Sequence, residues 1–402
     1  MTTTIPPHTA GRTALDPTGA VEVRRATSGR GLVDVMVVIG AAAAALSLAT
    51  LLVTRVLPAA NMIGFVAIAY LLFLGLYGMV VLSREQDGRT VTDRLASVVM
   101  HSLAVLALLA LLFVVGFTFW RGREALPHLN FYTQDMRLAG PLDPLTVGGI
   151  LHAIVGTLIQ ITIALLITVP LGLACAVYLN EARGALPRFV RTVAEAMTAL
   201  PSILAGLFVF ASFILTFGLT RSGLAAGLAI SVMILPIVIR AADVVLRLVP
   251  GSLREASLAM GASKWRTAWH VVLPTARSGL TTAVLLGTAR GVGEVSPVLT
   301  TAGFASGLNF DPTSGPMASL PLVTFVFAGS PEPTMVARAF GAAVALLALV
   351  FVLFALARVF GGRPAGELSA WEQRHRARDS LRDLTRFNSR HTTAQMGASD
   401  GS

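Results

Sequence analysis

The sequence predicts an all-α membrane protein, a multi-span helical bundle. Three observations carry that prediction. Hydrophobic residues make up 54% of the 402 positions and charged residues only 13%, where soluble domains sit nearer a quarter charged. Mean hydropathy is +0.74. The apolar residues gather into runs of about 20 residues or more, the length that crosses a bilayer as helix. None of these runs shows the period-two alternation of a barrel strand, and in lipid only helices or closed barrels satisfy their own backbone.

Eight such segments follow one another, at about 32–57, 61–83, 95–120, 149–179, 199–218, 223–248, 278–302 and 334–360. The fifth and sixth have little chain between them and are expected to form a tight hairpin. Residues 1–31 read as a disordered tail. MTTTIPPHTA opens it without a charged region leading into a short apolar core, so no cleaved signal is expected. Residues 362–402 form a basic polar tail. Within it, 366–386 reads either as a solvated stretch or as an amphipathic helix at the anionic leaflet.

Arginine sets the orientation. Arg84, Arg89 and Arg94, then Arg183, Arg188 and Arg191, then Arg254, Lys264, Arg266 and Arg277, and finally the C-terminal tail, fall on one side. The connectors 58–60 and 303–333 carry no Lys or Arg, and 219–222 carries Arg221 alone. The loop 121–148, with Arg121, Arg123 and Arg137, fits least well. Because cytoplasmic loops are enriched in Lys and Arg, both termini and 251–277 are expected in the cytoplasm. Eight spans agree with termini on one side.

Much chemistry is excluded. Lys264 is the single lysine and Trp265 follows it, so no phosphate-binding P-loop exists. The seven histidines form no H-E-x-x-H. A G-x-S-x-G string at 397–401 sits in the polar tail, without the strand–turn–helix frame of a nucleophile elbow. Cys175 is the single cysteine, so no intrachain disulfide forms. What remains is movement of a solute.

Between two apolar spans lies EASLAMGASKWRTAWHVVLPTA, 255–276. Pro250 and Gly251 close the preceding span. Ser252 with Glu255 reads as a capping box, predicting a helix start there. Gly261 predicts a helix end or sharp turn. A second helix is expected from near Ser263, with Trp265 and Trp269 on one face. Pro274 marks entry into the next span. By itself this describes two short helices at an angle, serving as an interfacial anchor or as a docking module.

Charges within two of the spans are candidates for function. Arg290 and Glu294 lie near the middle of 278–302, where each costs roughly 2.5–3.5 kcal/mol. At i and i+4 they share a helix face and partly neutralise each other. Gly287, Gly291 and Gly293 are expected to admit a neighbouring backbone. The pair reads either as an ion pair that locks packing or as part of an anion pathway, since guanidinium grips tetrahedral oxyanions in a fork. In the second case Glu294 positions Arg290 and weakens its grip. Arg240 lies two to three turns before the end of its helix, either snorkelling to the interface or lining the same pathway.

Residue by residue, the loop Glu255, Ala256, Gly261, Val271, Leu273 and Pro274 resembles the EAA signature of bacterial ABC-importer permeases, with Ser257 in place of the second alanine. R-G-V-G-E-V-S-P at 290–297 and PSILAGLF at 201–208 resemble segments of phosphate-transporter permeases. GGILHAIVGTL at 148–158, GPMASLPLVTF at 315–325, ILPIVIR ending in Arg240 and LRLVPGSLREASLAMGA look like the PstA-type subunit.

The resemblance covers about 95–360. It implies a six-helix ABC-importer permease core preceded by two extra transmembrane helices, arranged as a tail 1–31, added helices 32–94, a permease domain 95–361 and a basic tail 362–402. The added helices and the basic tail lie outside the six-span family pattern. The resemblance further implies half of a phosphate pore in the plasma (inner) membrane, with Arg290, Glu294 and Arg240 on the substrate path. Glu255, Ala256, Gly261, Leu273 and Pro274 would couple it to a separate ATPase. The implied partners are a PstC-type permease, a PstB-type ATPase pair and a PstS-type phosphate-binding protein meeting the loops 121–148 and 303–333. No cofactor is expected on this chain; ATP and Mg belong to the ATPase. The loop 303–333 is expected to hold an irregular or re-entrant segment. Rival readings are a permease for another oxyanion such as sulfate or molybdate, a secondary transporter, and a membrane protein that senses phosphate without moving it.

Overall fold

A computed structural model describes residues 32–55, 62–84, 88–361 and 378–380. Both expected tails lie outside the described residues, save 378–380, which are helical. Every regular element among the described residues is helical. The chain folds as two compact units that meet in sequence between Leu112 and Phe113, inside helix α3.

In the first unit, α1 (Leu32–Arg55) packs on α2 (Met62–Arg84). Ala41, Tyr77 and Val81 are buried there, with Val91, Leu95 and Val98 of α3 (Gly88–Gly122) closing over them. Tyr70 on α2 hydrogen-bonds Ser102 on α3 at 2.6 Å.

In the second unit, α3 ends at Gly122, whose missing side chain lets it pass the Phe340–Gly341 backbone. The short α4 (Leu129–Thr133) interrupts the following loop. Next come α5 (Leu151–Glu181), α6 (Ala185–Thr198) and α7 (Ser202–Val209), which runs on as a π-helical turn Phe210–Thr216. Helix α8 (Gly223–Arg247) starts with Ser222 as its cap, the hydroxyl accepting from Ala225 N. Then follow α9 (Gly251–Ala259), α10 (Lys264–Thr267), a π-helical turn Ala268–Val272, α11 (Leu273–Val292), α12 (Ser296–Thr301), α13 (Leu320–Ala328) and α14 (Pro333–Gly361).

Helices α5 and α8 form the most extensive packing pair. Three apolar cores stack along them. One gathers Ile150 and Ala153 with Phe131, Phe327 and Ala339; the next gathers Ile161, Ile230, Ile234 and Val298; the third gathers Ala176, Leu246, Val272 and Leu280.

By length and apolar composition six described helices can cross a membrane, or seven if the bent pair around Pro201 is one span. The expected count of eight is not reached, for two reasons. The segment 199–218 is α7 plus its π turn, bent by 105° from α6. The segment 278–302 breaks at Gly293–Val295, and its helix, which starts five residues early at Leu273, is long enough to cross but too polar, with Arg277 and Arg290 in it. The expected hairpin of 199–218 with 223–248 is present, α7 packing on α8. Helix α13 has nine residues, about 14 Å at 1.5 Å per residue, less than half a hydrocarbon core. It packs against α14 and α5 after an irregular stretch, so 303–333 holds the irregular segment expected there.

The three arginines that fitted the charge rule poorly are held by neighbours. Arg123 lies 3.8 Å above the Trp120 ring, Arg121 lies 5.9 Å from the Phe340 ring, and Arg137 lies against Gly307.

Candidate functional site

Arg240 on α8 and Arg290 on α11 line one cavity of about 510 Å³, together with Met197, Leu200, Val232, Met233 and Ile237. The remaining walls come from Thr198, Ala205, Ala241, Val244 and Leu286. The sequence placed both arginines in separate spans and left open whether they meet. Helix contact brings them together. A Cβ on Gly287 would come within 2.7 Å of Val238, and one on Gly291 within 3.0 Å of Ile230 and Ile234. Glycine therefore lets α11 seat against α8. One detail differs from expectation: Gly293 faces no neighbouring element, while Gly287 meets the Val238 side chain and, at 3.7 Å, the Ile234 carbonyl of α8.

Arg290 Nε lies 3.5 Å from Glu294 Oε1, with the arginine side chain 55% exposed and the glutamate 16%. Glu294 stands in the break between α11 and α12. It also lines a small polar recess with Thr157, Gln160 and Ser319. Arg240 is exposed and has no side-chain hydrogen bond or ion pair among the described residues. An unpaired guanidinium beside a second one held by a carboxylate, both among apolar walls, offers hydrogen-bond donors to an anion.

The helical module is built as two limbs. Helix α9 begins at Gly251 with Pro250 as its cap residue and no side-chain cap. The expected Ser252–Glu255 capping box is therefore absent: Pro250 already holds the turn, so Ser252 falls inside the helix, beyond the cap position. Gly261 adopts φ +83°, a left-handed turn that ends α9. Ser263 caps the second limb, accepting from Arg266 N at 3.4 Å. That limb continues through the π turn into α11, with Leu273 and Pro274 at its start, so the second limb of the module and the helix bearing Arg290 are continuous.

Glu255 and Ala256 are exposed. So are Leu253, Met260, Trp265 and Trp269, the two indoles packed edge to face at 5.6 Å. Ser257 hydrogen-bonds Thr267 across the limbs at 2.9 Å, both buried.

Several residues escaped the sequence reading. Arg254 binds Glu181 at the end of α5 at 3.2 Å and donates to Leu246 O on α8 at 2.8 Å, tying the module to both helices. Asp243 takes Arg247 at 2.8 Å and Arg191 of α6 at 3.4 Å; the i, i+4 spacing of Asp243 and Arg247 was its one available signal. Arg338 is fully buried and donates to the carbonyls of Asp143, Pro144 and Val147. A lone arginine in an apolar run was the signal there. In the loops, Asp135 accepts from Leu308 N and Arg137 N. These bonds, the Leu308 one foremost, hold its carboxyl below the usual value.

These features define a helical membrane bundle, with a cavity lined by two arginines and a two-limbed polar module at one end. Residues 168–365 match the family model of binding-protein-dependent transport system inner membrane components. A PstA 1 phosphate transport system permease protein of Mycobacterium tuberculosis (strain CDC 1551 / Oshkosh) is 38% identical over 263 residues, covering 65% of this chain and 86% of that protein. The PstA protein of Mycobacterium leprae is 36% identical, covering 65% and 86%, and that of Pasteurella multocida 34%, covering 59% and 84%. An inward-facing structure of the MetNI methionine ABC transporter is similar at TM-score 0.41 and 20% identity, covering 53% of this chain and 93% of that one. The chain belongs to the PstA-type permeases of the binding-protein-dependent transport family.

Proposed function

We propose that this chain is half of the pore of an ATP-driven inorganic phosphate importer, and that Arg240 and Arg290 form its anion site. One observation carries the reading: guanidinium groups from two separate helices line the same cavity. Glu294, at 3.5 Å from Arg290, keeps that guanidinium from holding the ion too firmly, which a carrier needs for release. The phosphate named for the relatives is the substrate class inferred here.

The permease domain is 95–361, with 32–94 as added helices. Its partners are a PstC-type permease completing the pore, a PstB-type ATPase pair supplying ATP and Mg, and a PstS-type binding protein at the loops 121–148 and 303–333. Glu255, Ala256 and Gly261 form the surface that meets the ATPase, with Leu273 and Pro274 passing its motion into α11. Support for this comes from the exposed aromatic and apolar side chains of the module and its continuity with α11. Both termini and the module face the cytoplasm, where the arginine-rich connectors collect.

Phosphate uptake by a strain lacking the chromosomal gene tests the reading. Arg290→Gln and Arg240→Gln should each abolish uptake while the complex still assembles; uptake at the normal rate in either overturns the anion site. Sulfate in excess should not compete, and competition would transfer the reading to another oxyanion.

A further inference from the structure

Helix α6 divides into three faces. Pro187, Val190, Arg191 and Ala194 turn inward, Ala194 and Val190 joining a small core with Leu179 and Ile239. Leu186, Phe189 and Val193, at i, i+3 and i+7, are 60%, 65% and 40% exposed. Arg188, Thr192 and Glu195 are exposed on the third face. Three faces of this kind call for three surroundings: protein, an apolar medium and water.

Position supplies the apolar medium. Only Ala182–Gly184 separate α6 from the end of α5, a helix of membrane-crossing length. The chain then turns by 105° from α6 into the next apolar segment. Helix α6 thus lies where a span leaves the bilayer, across the direction of the span that follows. Arg183 in the link and Arg188 on the helix are exposed, and neither side chain has a hydrogen bond or ion pair among the described residues. Glu195 is the one acid on α6, so the surface offers an excess of positive charge.

We infer that α6 is a membrane-surface helix: Leu186, Phe189 and Val193 enter the headgroup–acyl boundary, and Arg183 and Arg188 take the phosphodiesters of anionic phospholipid. Guanidinium matches such a group in a two-point fork. A basic side chain at a leaflet surface gains about 1 kcal/mol, about fivefold in lipid occupancy. The inference does not depend on which ion crosses. It does reach the cavity, because α6 supplies Met197 to its wall and the link that follows supplies Leu200. Arg191 pins α6 to Asp243 on the helix that bears Arg240.

The test uses the full chain in its native complex, in nanodiscs of phosphatidylcholine with or without phosphatidylglycerol. Nitroxides at Leu186→Cys, Phe189→Cys, Val193→Cys and Thr192→Cys, in a Cys175→Ser background, are read by collision with oxygen and with a water-soluble nickel chelate. The first three should meet oxygen and Thr192→Cys the chelate. Shielding of the three from both reagents would mean that a protein partner covers the stripe and would overturn the inference. Arg183→Gln and Arg188→Gln should each lower the phosphatidylglycerol retained by the purified complex about fivefold; unchanged retention overturns the headgroup role.

Discussion

The Asp243 carboxylate on α8 lies 3.4 Å from the Arg191 guanidinium on α6, while Arg247, one turn further along α8, approaches it to 2.8 Å. The carboxylate side chain is 9% exposed and that of Arg191 33%. Partial exposure limits the pair to about 1 kcal/mol. A double-mutant cycle of Arg191→Gln and Asp243→Asn, read by thermal inactivation of the purified complex, should return a coupling of about that size. Strictly additive losses would mean that the pair holds nothing.

The buried Ser257–Thr267 hydroxyl pair gives the sharpest test of the module. Ser257→Ala alone leaves the Thr267 hydroxyl unpaired between the limbs and should destabilise the hairpin by about 1–2 kcal/mol. Ser257→Ala with Thr267→Val removes both polar groups and should recover most of that loss. Melting temperature and uptake at elevated temperature are the readouts, and a double variant worse than the single contradicts the account.

Glu294→Gln removes the charge that restrains Arg290 without changing the side-chain shape. Phosphate should then bind more tightly and leave more slowly. Half-saturation should fall together with turnover, at least severalfold each, in ATP-driven uptake by proteoliposomes. A rise in half-saturation would show that Glu294 assists binding instead.

Arg338 is fully buried and holds three loop carbonyls. Arg338→Met keeps the volume but leaves those carbonyls without their donor, at a cost of about 3 kcal/mol or more. Limited proteolysis should then cut within 134–150 in the variant and not in the parent. Equal resistance would show that Asn130, which donates to Leu145 O and Gly148 O, suffices.

Asp135 joins the loop after α4 to the loop after α12 through its bond from Leu308 N at 2.9 Å. Its folded carboxyl titrates below the ordinary value, which is near 4. The added stability is therefore complete above about pH 4 and is lost as pH falls through the lower folded value. Amide exchange at Leu308 should stay protected down to about pH 4 and rise below it. Asp135→Asn should show the raised exchange at neutral pH.

Much of this was legible in the sequence. Arg240, Arg290 and Glu294 stood out because a charge in an apolar run is rare for energetic reasons. Gly261 announced its turn because a left-handed backbone favours glycine. The capping box at Ser252 failed because the helix is capped two residues earlier, at Pro250, a difference that local pattern does not resolve. The eight-span count is not confirmed at two places: the chain bends around Pro201, which hydropathy averages across, and the helix Leu273–Val292 is too polar to count by composition. Arg338 and Arg254 were passed over because their partners are backbone carbonyls or carboxylates far away in sequence.

By itself the sequence determined that the chain lives in a bilayer as helices, that a polar module projects between two of them, and which charges lie within spans. These are matters of solvent preference and period, properties of neighbouring residues. Only the tertiary structure decided that Arg240 and Arg290 share a cavity, that Ser257 meets Thr267, and that Arg191 fastens α6 to α8. Each depends on how closely two helices approach. At Gly287 and Gly291 the missing side chains let α11 settle onto Val238, Ile234 and Ile230 of α8, and that contact carries both guanidiniums to one space.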